Sequence, residues 1–471
     1  MKPSYGDGPI AAFASTPGHS ALTLIRCSGA NAIELTASVF SRPEKLKKAA
    51  GNTIIHGWIC RAEQKIDEVL VSVFRAPKSY TGEDSLDICC HGGTSAGYAV
   101  MEALKSGGFR DALPGEFTFR SFMNGKLDLT RSESVMELVS AKTETGRTHA
   151  ISRLSGLLEN EINAIKKILV EALAGAEIFL DYSEDEISAD ADEKSGILSG
   201  QEQVKQALVQ LKALAATWQR ERIYQDGITA VIAGLPNAGK SSLFNVLLKE
   251  DRSIVTEIPG TTRDWIEAWI SIDGIPVRLV DTAGLRDSAD PVEILGVQRT
   301  RELLDSADLL LYLIDGTDGI SEADENFILQ FNSRNTQGQC SPQSLLLLWN
   351  KADIAPLPAQ QRKLLAVSAK TGQGTDELLG AMSAAILAQP RTADTASALR
   401  SAALGSARQK NLVDSSCSAL EEALALAGRG EPLDLIAPLL REAVSALGEI
   451  TGEVSTADIL EEMFGRFCVG K

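Results

Sequence analysis

The 471-residue sequence predicts a multidomain protein: an α+β N-terminal domain, then an all-α helical domain with an α/β domain inserted into it. Three observations carry this reading. Short β-like runs split by turn residues fill residues 1–126. Apolar residues at 4,3,4,3,4 spacing follow Asp128, and strand and helix patterns alternate from Ile228 to about Leu387. The length is too great for one hydrophobic core, so several domains are expected.

In the first part, the β-like runs are Pro9–Ser15, Ala21–Arg26, Asp67–Phe74 and Ser85–Cys90, separated by Pro17-Gly18, Ser28-Gly29, Gly92-Gly93 and Gly107-Gly108. An amphipathic helix is expected at Thr94–Lys105. In the second part, Leu158, Ile162, Ile165, Leu169, Ala172 and Ala176 form a bundle-type seam, and Val204, Leu208, Leu211 and Leu214 continue the helical period. The acidic stretch Ser183–Lys194 between them reads as a solvated loop. Beyond Pro390 the pattern is helical again, over Leu412–Leu426 and Leu433–Leu447, and these last helices are expected to pack on the first. The domain boundaries expected are 1–126, 127–220, 221–383 and 384–471.

Composition narrows the classes. Hydrophobic residues make up 44% and charged residues 23%, ordinary values for a globular protein. The apolar runs Leu309–Ile314 and Leu345–Trp349 are too short to span a bilayer, and Met1–Ile10 lacks the apolar core of a secretory signal. The expected location is the cytoplasm. Seven scattered cysteines without a CxxC pair, and four histidines, suggest neither a zinc site nor a disulfide framework. A net charge of −17 repels polyanions on average, so any RNA contact needs a local basic patch or a basic partner.

The chemistry lies in the inserted domain. Gly234-Leu-Pro-Asn237-Ala238-Gly239-Lys240-Ser241 follows the strand-like run Ile228–Ala233 and precedes the helix-like Ser241–Leu248. This is the phosphate-binding G-x-x-x-x-G-K-[ST] order: backbone N–H groups curl around phosphate oxygens and the helix N-terminus adds its positive end. Lys240 suits the β- and γ-phosphates, and Ser241 suits Mg²⁺, with Ser242 next to it. Asp281-Thr-Ala-Gly284 ends the run Val277–Val280, whose partner Trp265–Ile272 is joined through an Asp273-Gly274 turn. There Asp281 can hold Mg²⁺ through water, and the Gly284 N–H can sense the γ-phosphate. Asn350-Lys351-Ala-Asp353 follows Leu345–Trp349. The Asp353 carboxylate can accept from guanine N1–H and the 2-amino group, donors that adenine does not offer there. Ser368-Ala369-Lys370 follows Leu364–Val367 and can bring a backbone N–H near O6. Each tetrapeptide alone is more often a turn. All of them in this order, each at a strand's C-terminal end, point to GTP binding and hydrolysis.

Many GTPases place Gln directly after D-x-x-G to orient water; here that position is Leu285. Two nearby residues suit the task. Asn237 offers an oxygen to a monovalent cation, its alternative being loop stabilisation. Glu293 is an acid able to orient water, its alternative being a solvated helix glutamate.

The P-loop, the stretch Ile258-Pro-Gly260-Thr261-Thr262-Arg263-Asp264, Asp281-Thr-Ala-Gly-Leu-Arg286 and Asn350-Lys-Ala-Asp353 together resemble the TrmE-Era-EngA-like GTPases. Thr81-Gly-Glu-Asp84, Pro114-Gly115-Glu116-Phe117, Asn124-Gly-Lys126 and the final Phe467-Cys468-Val469-Gly470-Lys471 are similar to the tRNA-modifying branch of that family, over essentially the whole chain.

The resemblance implies a Ras-like GTPase domain and a tetrahydrofolate-binding-like N-terminal domain that joins a homodimer. It also implies an FAD-containing partner, MnmG, and a tRNA substrate. The product would carry an aminomethyl or carboxymethylaminomethyl group at C5 of wobble uridine U34, its carbon drawn from a 5-formyl- or 5,10-methylene-tetrahydrofolate. It implies K⁺-dependent pairing of GTPase domains, with Asn237, Thr256, Ile258 and Thr261 around K⁺ and Ser241 and Thr262 on Mg²⁺. Glu293 aligns with the family's water-orienting glutamate. The folate site maps onto Arg26, Asp87, Lys126 and Lys471; the family often has Glu where this chain has Asp87. Cys468 has only Arg466 and Lys471 as basic neighbours in sequence, so a packing role competes with a nucleophilic one. The competing class is a ribosome-assembly GTPase on rRNA, whose relatives carry a basic RNA-binding domain that the −17 charge disfavours. A membrane-remodelling GTPase would need an amphipathic basic helix or an apolar anchor.

Overall fold

The computed structural model describes residues 5–16, 18–62, 64–181, 193–250, 266–282, 307–336, 344–361, 363–387 and 402–470. Two compact units divide the chain: 1–136, 153–212 and 407–471 form one; 137–152 and 213–406 form the other. In both, distant stretches of sequence fold together.

The first unit opens with a six-stranded sheet. Its strands are β1 Ile10–Phe13, β2 Leu22–Ser28, β3 Thr53–Arg61, β4 Gln64–Phe74, β5 Ser85–His91 and β6 Arg110–Asp111, in the order β3-β4-β5-β2-β1-β6. One face is apolar at every second residue and packs against the helices. Ile55, Ile59, Val69, Val71, Val73, Leu86, Ile88 and Ile25 are all buried there with Val100 and Leu104 of the Thr94–Ser106 helix. Two short helices, Ala32–Ser38 and Pro43–Lys47, and the strand β3 are additions to the elements expected.

The rest of this unit is helical. In the helix Leu157–Asp181, Leu158, Ile162, Ile165, Leu169 and Ala172 are buried as the seam predicts, while Ala176 is only half-buried. Along the helix Glu193–Asp226 the buried partner of Val204 is Ala207, with Leu208 half-buried. That helix begins at Glu193, so Glu193 and Lys194 are helical rather than loop; the rest of the expected acidic loop, 183–192, lies outside the described residues. Of the last helices, Leu433–Thr451 packs on Leu157–Asp181 as expected, and Ala407–Arg429 packs on Leu433–Thr451. Arg408 makes a bidentate pair with Glu133 at 3.0 and 3.1 Å, and Arg441 reaches Glu177 at 2.9 Å. Among the described residues no helix is long and apolar enough to cross a membrane.

The second unit holds a sheet of β7 Ile228–Gly234, β8 Ile266–Ile272, β9 Ile275–Asp281, β10 Leu309–Asp315, β11 Ser344–Asn350 and β12 Leu365–Ala366, in the order β12-β11-β10-β7-β9-β8. All pairs are parallel except the β8–β9 hairpin at the edge. Its turn is Asp273-Gly274, as the sequence predicts, both at positive φ. β10 is buried over Leu309–Ile314 because apolar side chains cover both faces of the sheet. β7 leads into the helix Lys240–Glu250 and has β9 on one side and β10 on the other. The chain order reverses at this point, which opens a crevice at the strands' C-terminal ends. The fold class is therefore the one expected: an α/β domain within a helical protein carrying an α+β N-terminal part.

Candidate nucleotide site at the strand ends

Five strand ends meet at the crevice. At the end of β7, Gly234, Asn237 and Gly239 have φ of 146°, 65° and 94°. This succession of positive φ angles curls the loop tightly, and within it the Ala238 N–H donates to Leu235 O at 3.3 Å. A side chain at Gly239 is excluded by contact as well as by φ, since a Cβ would lie 2.2 Å from Asn350 Nδ2. Ala238 is fully buried beneath the loop, and Asn237 is exposed at its tip. Lys240 is 8% exposed, and its ammonium donates to the carbonyls of Gly234 (3.1 Å) and Leu235 (2.9 Å). Ser241 and Ser242 open the following helix in exposed positions.

At the end of β9 the fully buried Asp281 accepts from the Ser241 hydroxyl at 2.7 Å. A hydroxyl and a carboxylate oxygen held together are hard donors that suit a divalent cation such as Mg²⁺. Thr282 ties this end to β7 through Ile232 O at 2.9 Å.

At the end of β11, the Asn350 side-chain amide donates to Ala238 O (2.6 Å) and accepts from the Ala369 N–H (3.0 Å). One residue thus stitches the glycine loop to the loop after β12. Asp353 is exposed, and the Ser368 hydroxyl donates to its Oδ1 at 2.7 Å. Its carboxylate is oriented and still accessible. Ser368 is buried, Ala369 half-buried and Lys370 exposed.

The sequence reading missed the end of β10. Asp315 lies opposite Asn350 in the β10–β11 register and takes the Lys351 ammonium at 2.5 Å, while Thr317 donates to its other oxygen. Burial opposes ionisation of Asp315, but the hydrogen bonds from Lys351 and Thr317 prevail and hold its carboxyl below the usual range. An Asp ending an apolar strand was the available signal, the same one that marked Asp281.

Thr256, Ile258, Thr261, Thr262, Gly284 and Glu293 lie outside the described residues, as does Lys471.

In the N-terminal sheet, Arg26 and Asp87 are register partners on β2 and β5 and form an ion pair at 3.0 Å. The Arg26 guanidinium lies 5.6 Å from the Tyr80 ring centroid. Lys126 donates to Pro77 O at 3.1 Å, so three of the four expected folate residues converge on the loop between β4 and β5. A buried network supports that loop. Glu83 accepts from Ser28 (2.8 Å) and Arg120 (3.1 Å), and Arg120 also reaches Glu116 (2.8 Å). Glu116 is fully buried; burial opposes its charge, but Arg110, the Leu113 N–H and Arg120 hold its carboxyl below the usual range. The T-G-E-D and P-G-E-F motifs therefore meet in one scaffold. Cys468 is exposed, and its carbonyl accepts from the Gly115 N–H at 3.5 Å.

Fold and strand-end site together define a P-loop GTPase. Family models described as "GTP-binding protein TrmE N-terminus" and "MnmE helical domain" match residues 9–126 and 129–468. The chain is 42% identical to the tRNA modification GTPase MnmE of Treponema denticola, over 100% of this chain and 99% of that one. It is 40% identical to that of Carboxydothermus hydrogenoformans, over 98% and 99%. A solved structure of Aquifex aeolicus Era bound to GDP·AlF4⁻ shares 24% identity over 41% of this chain and 66% of that chain, with a TM-score of 0.26. The chain belongs to the tRNA modification GTPase MnmE family.

Proposed function

We propose that this protein is the GTP-hydrolysing subunit of a complex that modifies wobble uridine in tRNA. In this reading it adds an aminomethyl or carboxymethylaminomethyl group at C5 of U34, with carbon from a tetrahydrofolate derivative and an FAD-containing partner, MnmG, in the cytoplasm. The observation that carries the reading is the P-loop, D-x-x-G, N-K-x-D and S-A-K set on four strand ends, in a chain matched end to end by one family.

In this reading Lys240 leaves its carbonyl partners for the β- and γ-phosphates. Ser241 and Thr262 hold Mg²⁺, with Asp281 behind Ser241; the ion would neutralise charge on the phosphate oxygens. Asn350 keeps the phosphate and base loops in register, Asp353 reads guanine N1–H and the 2-amino group, and a backbone N–H of the Ser368-Ala369-Lys370 loop faces O6. Glu293 orients water. Asn237, Thr256, Ile258 and Thr261 hold K⁺ where GTPase domains pair. The exposed position of Asn237 at the loop tip supports that role. Hydrolysis is expected to run at least about tenfold faster in K⁺ than in Na⁺, because a fixed cation beside the phosphates stabilises charge that Leu285 cannot. Equal steady-state rates in the two salts would remove the cation from the mechanism.

Homodimerisation through the N-terminal domain is supported by the open face of its sheet. Leu22, Ile54 and Leu70 are 58%, 67% and 47% exposed, on the face opposite the helices. Arg26 and Asp87 share that face, which would set the folate site, with Lys126 and Lys471, at the dimer seam. A carboxylate placed in that seam would be buried without a partner, so Leu70→Glu is expected to weaken dimerisation at least about a hundredfold. Sedimentation of the wild type as a monomer at micromolar concentration would refute the assignment.

The functional test is mass spectrometry of tRNA nucleosides from a strain lacking the gene. Loss of the C5-substituted wobble uridines, restored by the wild type but not by Lys240→Ala, supports the reading. An unchanged nucleoside profile with accumulating ribosomal precursors would favour the ribosome-assembly class.

A further inference from the structure

We propose that Asp315 is a positioning residue for the guanine slot, setting how long the nucleotide stays bound by fixing the Lys351 side chain. This rests on the reading of Asn350–Asp353 as the base-recognition segment.

Lys351 is a lysine in the left-handed region, at φ 61°, where a Cβ crowds the backbone. Local hydrogen bonds to its carbonyl, from Ile354 N–H (3.0 Å) and Ala355 N–H (2.9 Å), hold the backbone end. The other end is held by Asp315, from 36 residues earlier, at 2.5 Å. A side chain anchored at both ends has lost most of its rotamer freedom before any ligand arrives, so ordering it adds little cost on binding. Its four-carbon stem is then an apolar, fixed surface next to the base-reading carboxylate two residues on.

The Asp315 carboxylate is itself oriented. Thr317 donates to Oδ1 through its N–H (3.0 Å) and its hydroxyl (2.6 Å), which leaves Oδ2 to Lys351. The next residue, Gly316, donates its N–H to Asn350 O at 3.0 Å. A Cβ at Gly316 would come within 2.5 Å of that oxygen and 2.6 Å of Trp349 Nε1. The loop Asp315–Thr317 is thus seated on both Asn350 and Lys351. A structural surface pair would not need the strand end, the oriented carboxylate and the close-packed glycine together. The pair is half-open, with side chains 33% and 12% exposed for Lys351 and Asp315, so its effect is moderate.

The test uses the full chain and the fluorescent nucleotide mant-GDP. Asp315→Asn keeps the shape and removes the charge. It is expected to raise the mant-GDP dissociation rate and the KM for GTP about five- to tenfold, with kcat at saturating GTP changing less than about twofold. Asp315→Glu keeps the carboxylate and is expected to recover most of the difference. Dissociation from Asp315→Asn within about twofold of wild type would overturn the inference. So would equal losses in Asp315→Glu and Asp315→Asn, or a fall in kcat in step with a fall in Tm, which would mark a merely structural residue. Asp353→Asn serves as the control. If it retains GTP over XTP, the base-recognition reading fails and this inference with it. If it switches to XTP while Asp315→Asn releases mant-GDP normally, only the inference about Asp315 fails.

Discussion

Asp353→Asn is expected to lower kcat/KM for GTP by about 10²–10³-fold and to make XTP the better substrate. Both carboxylate oxygens of Asp353 can accept, one of them already oriented by Ser368 at 2.7 Å. Guanine presents two donors, N1–H and the 2-amino group. An asparagine offers one acceptor and one donor, so one guanine donor would face an N–H and lose its partner. Xanthine has a carbonyl in place of the 2-amino group and matches the asparagine amide. Because Asp353 is exposed, water softens the mismatch, and the expected loss lies below the roughly 10⁴–10⁵-fold of fully enclosed polar discrimination. Competition between GTP and XTP in steady-state hydrolysis checks this; unchanged preference would assign base reading to other residues.

Lys240→Ala is expected to slow GTP hydrolysis by about 10²–10³-fold, the usual cost of removing one preorganised charge from developing negative charge. The side chain is 8% exposed and satisfies its ammonium on the carbonyls of Gly234 and Leu235. Those are the walls of the loop that would receive the phosphates, so the charge is stored within reach of its target. Truncation removes the ammonium and leaves two carbonyls turned towards bound phosphate. Nucleotide affinity is therefore expected to fall together with the rate. Single-turnover hydrolysis at saturating GTP separates the two effects, and a wild-type rate there would exclude Lys240 from transition-state stabilisation.

Much of the strand-end site was legible because its signals are local. A phosphate loop needs glycine at positive φ, a cation and a hydroxyl within a few residues, and each remaining motif follows an apolar strand. The N-terminal sheet was legible only in part. β3 carries Gly57 at its centre, which reads as a breaker, yet the glycine is required by contact: a Cβ there would lie 2.4 Å from the Phe40 ring. Its partner is 17 residues away and belongs to no pattern. The two short helices escaped for a different reason, being too brief to establish a period.

By itself, then, the sequence determined the order of elements, the α/β insertion within a helical protein and the residue types available at each strand end. These follow from periodicity and turn chemistry, which act over a few residues. Tertiary structure alone decided which distant groups meet. Sheet register set Asp315 beside Asn350 and Arg26 beside Asp87, and it gathered Leu22, Ile54 and Leu70 on one open face. Helix packing joined Glu133 to Arg408 across 275 residues of chain. Such pairings depend on how whole faces bury their apolar area, and no short stretch of sequence contains that information.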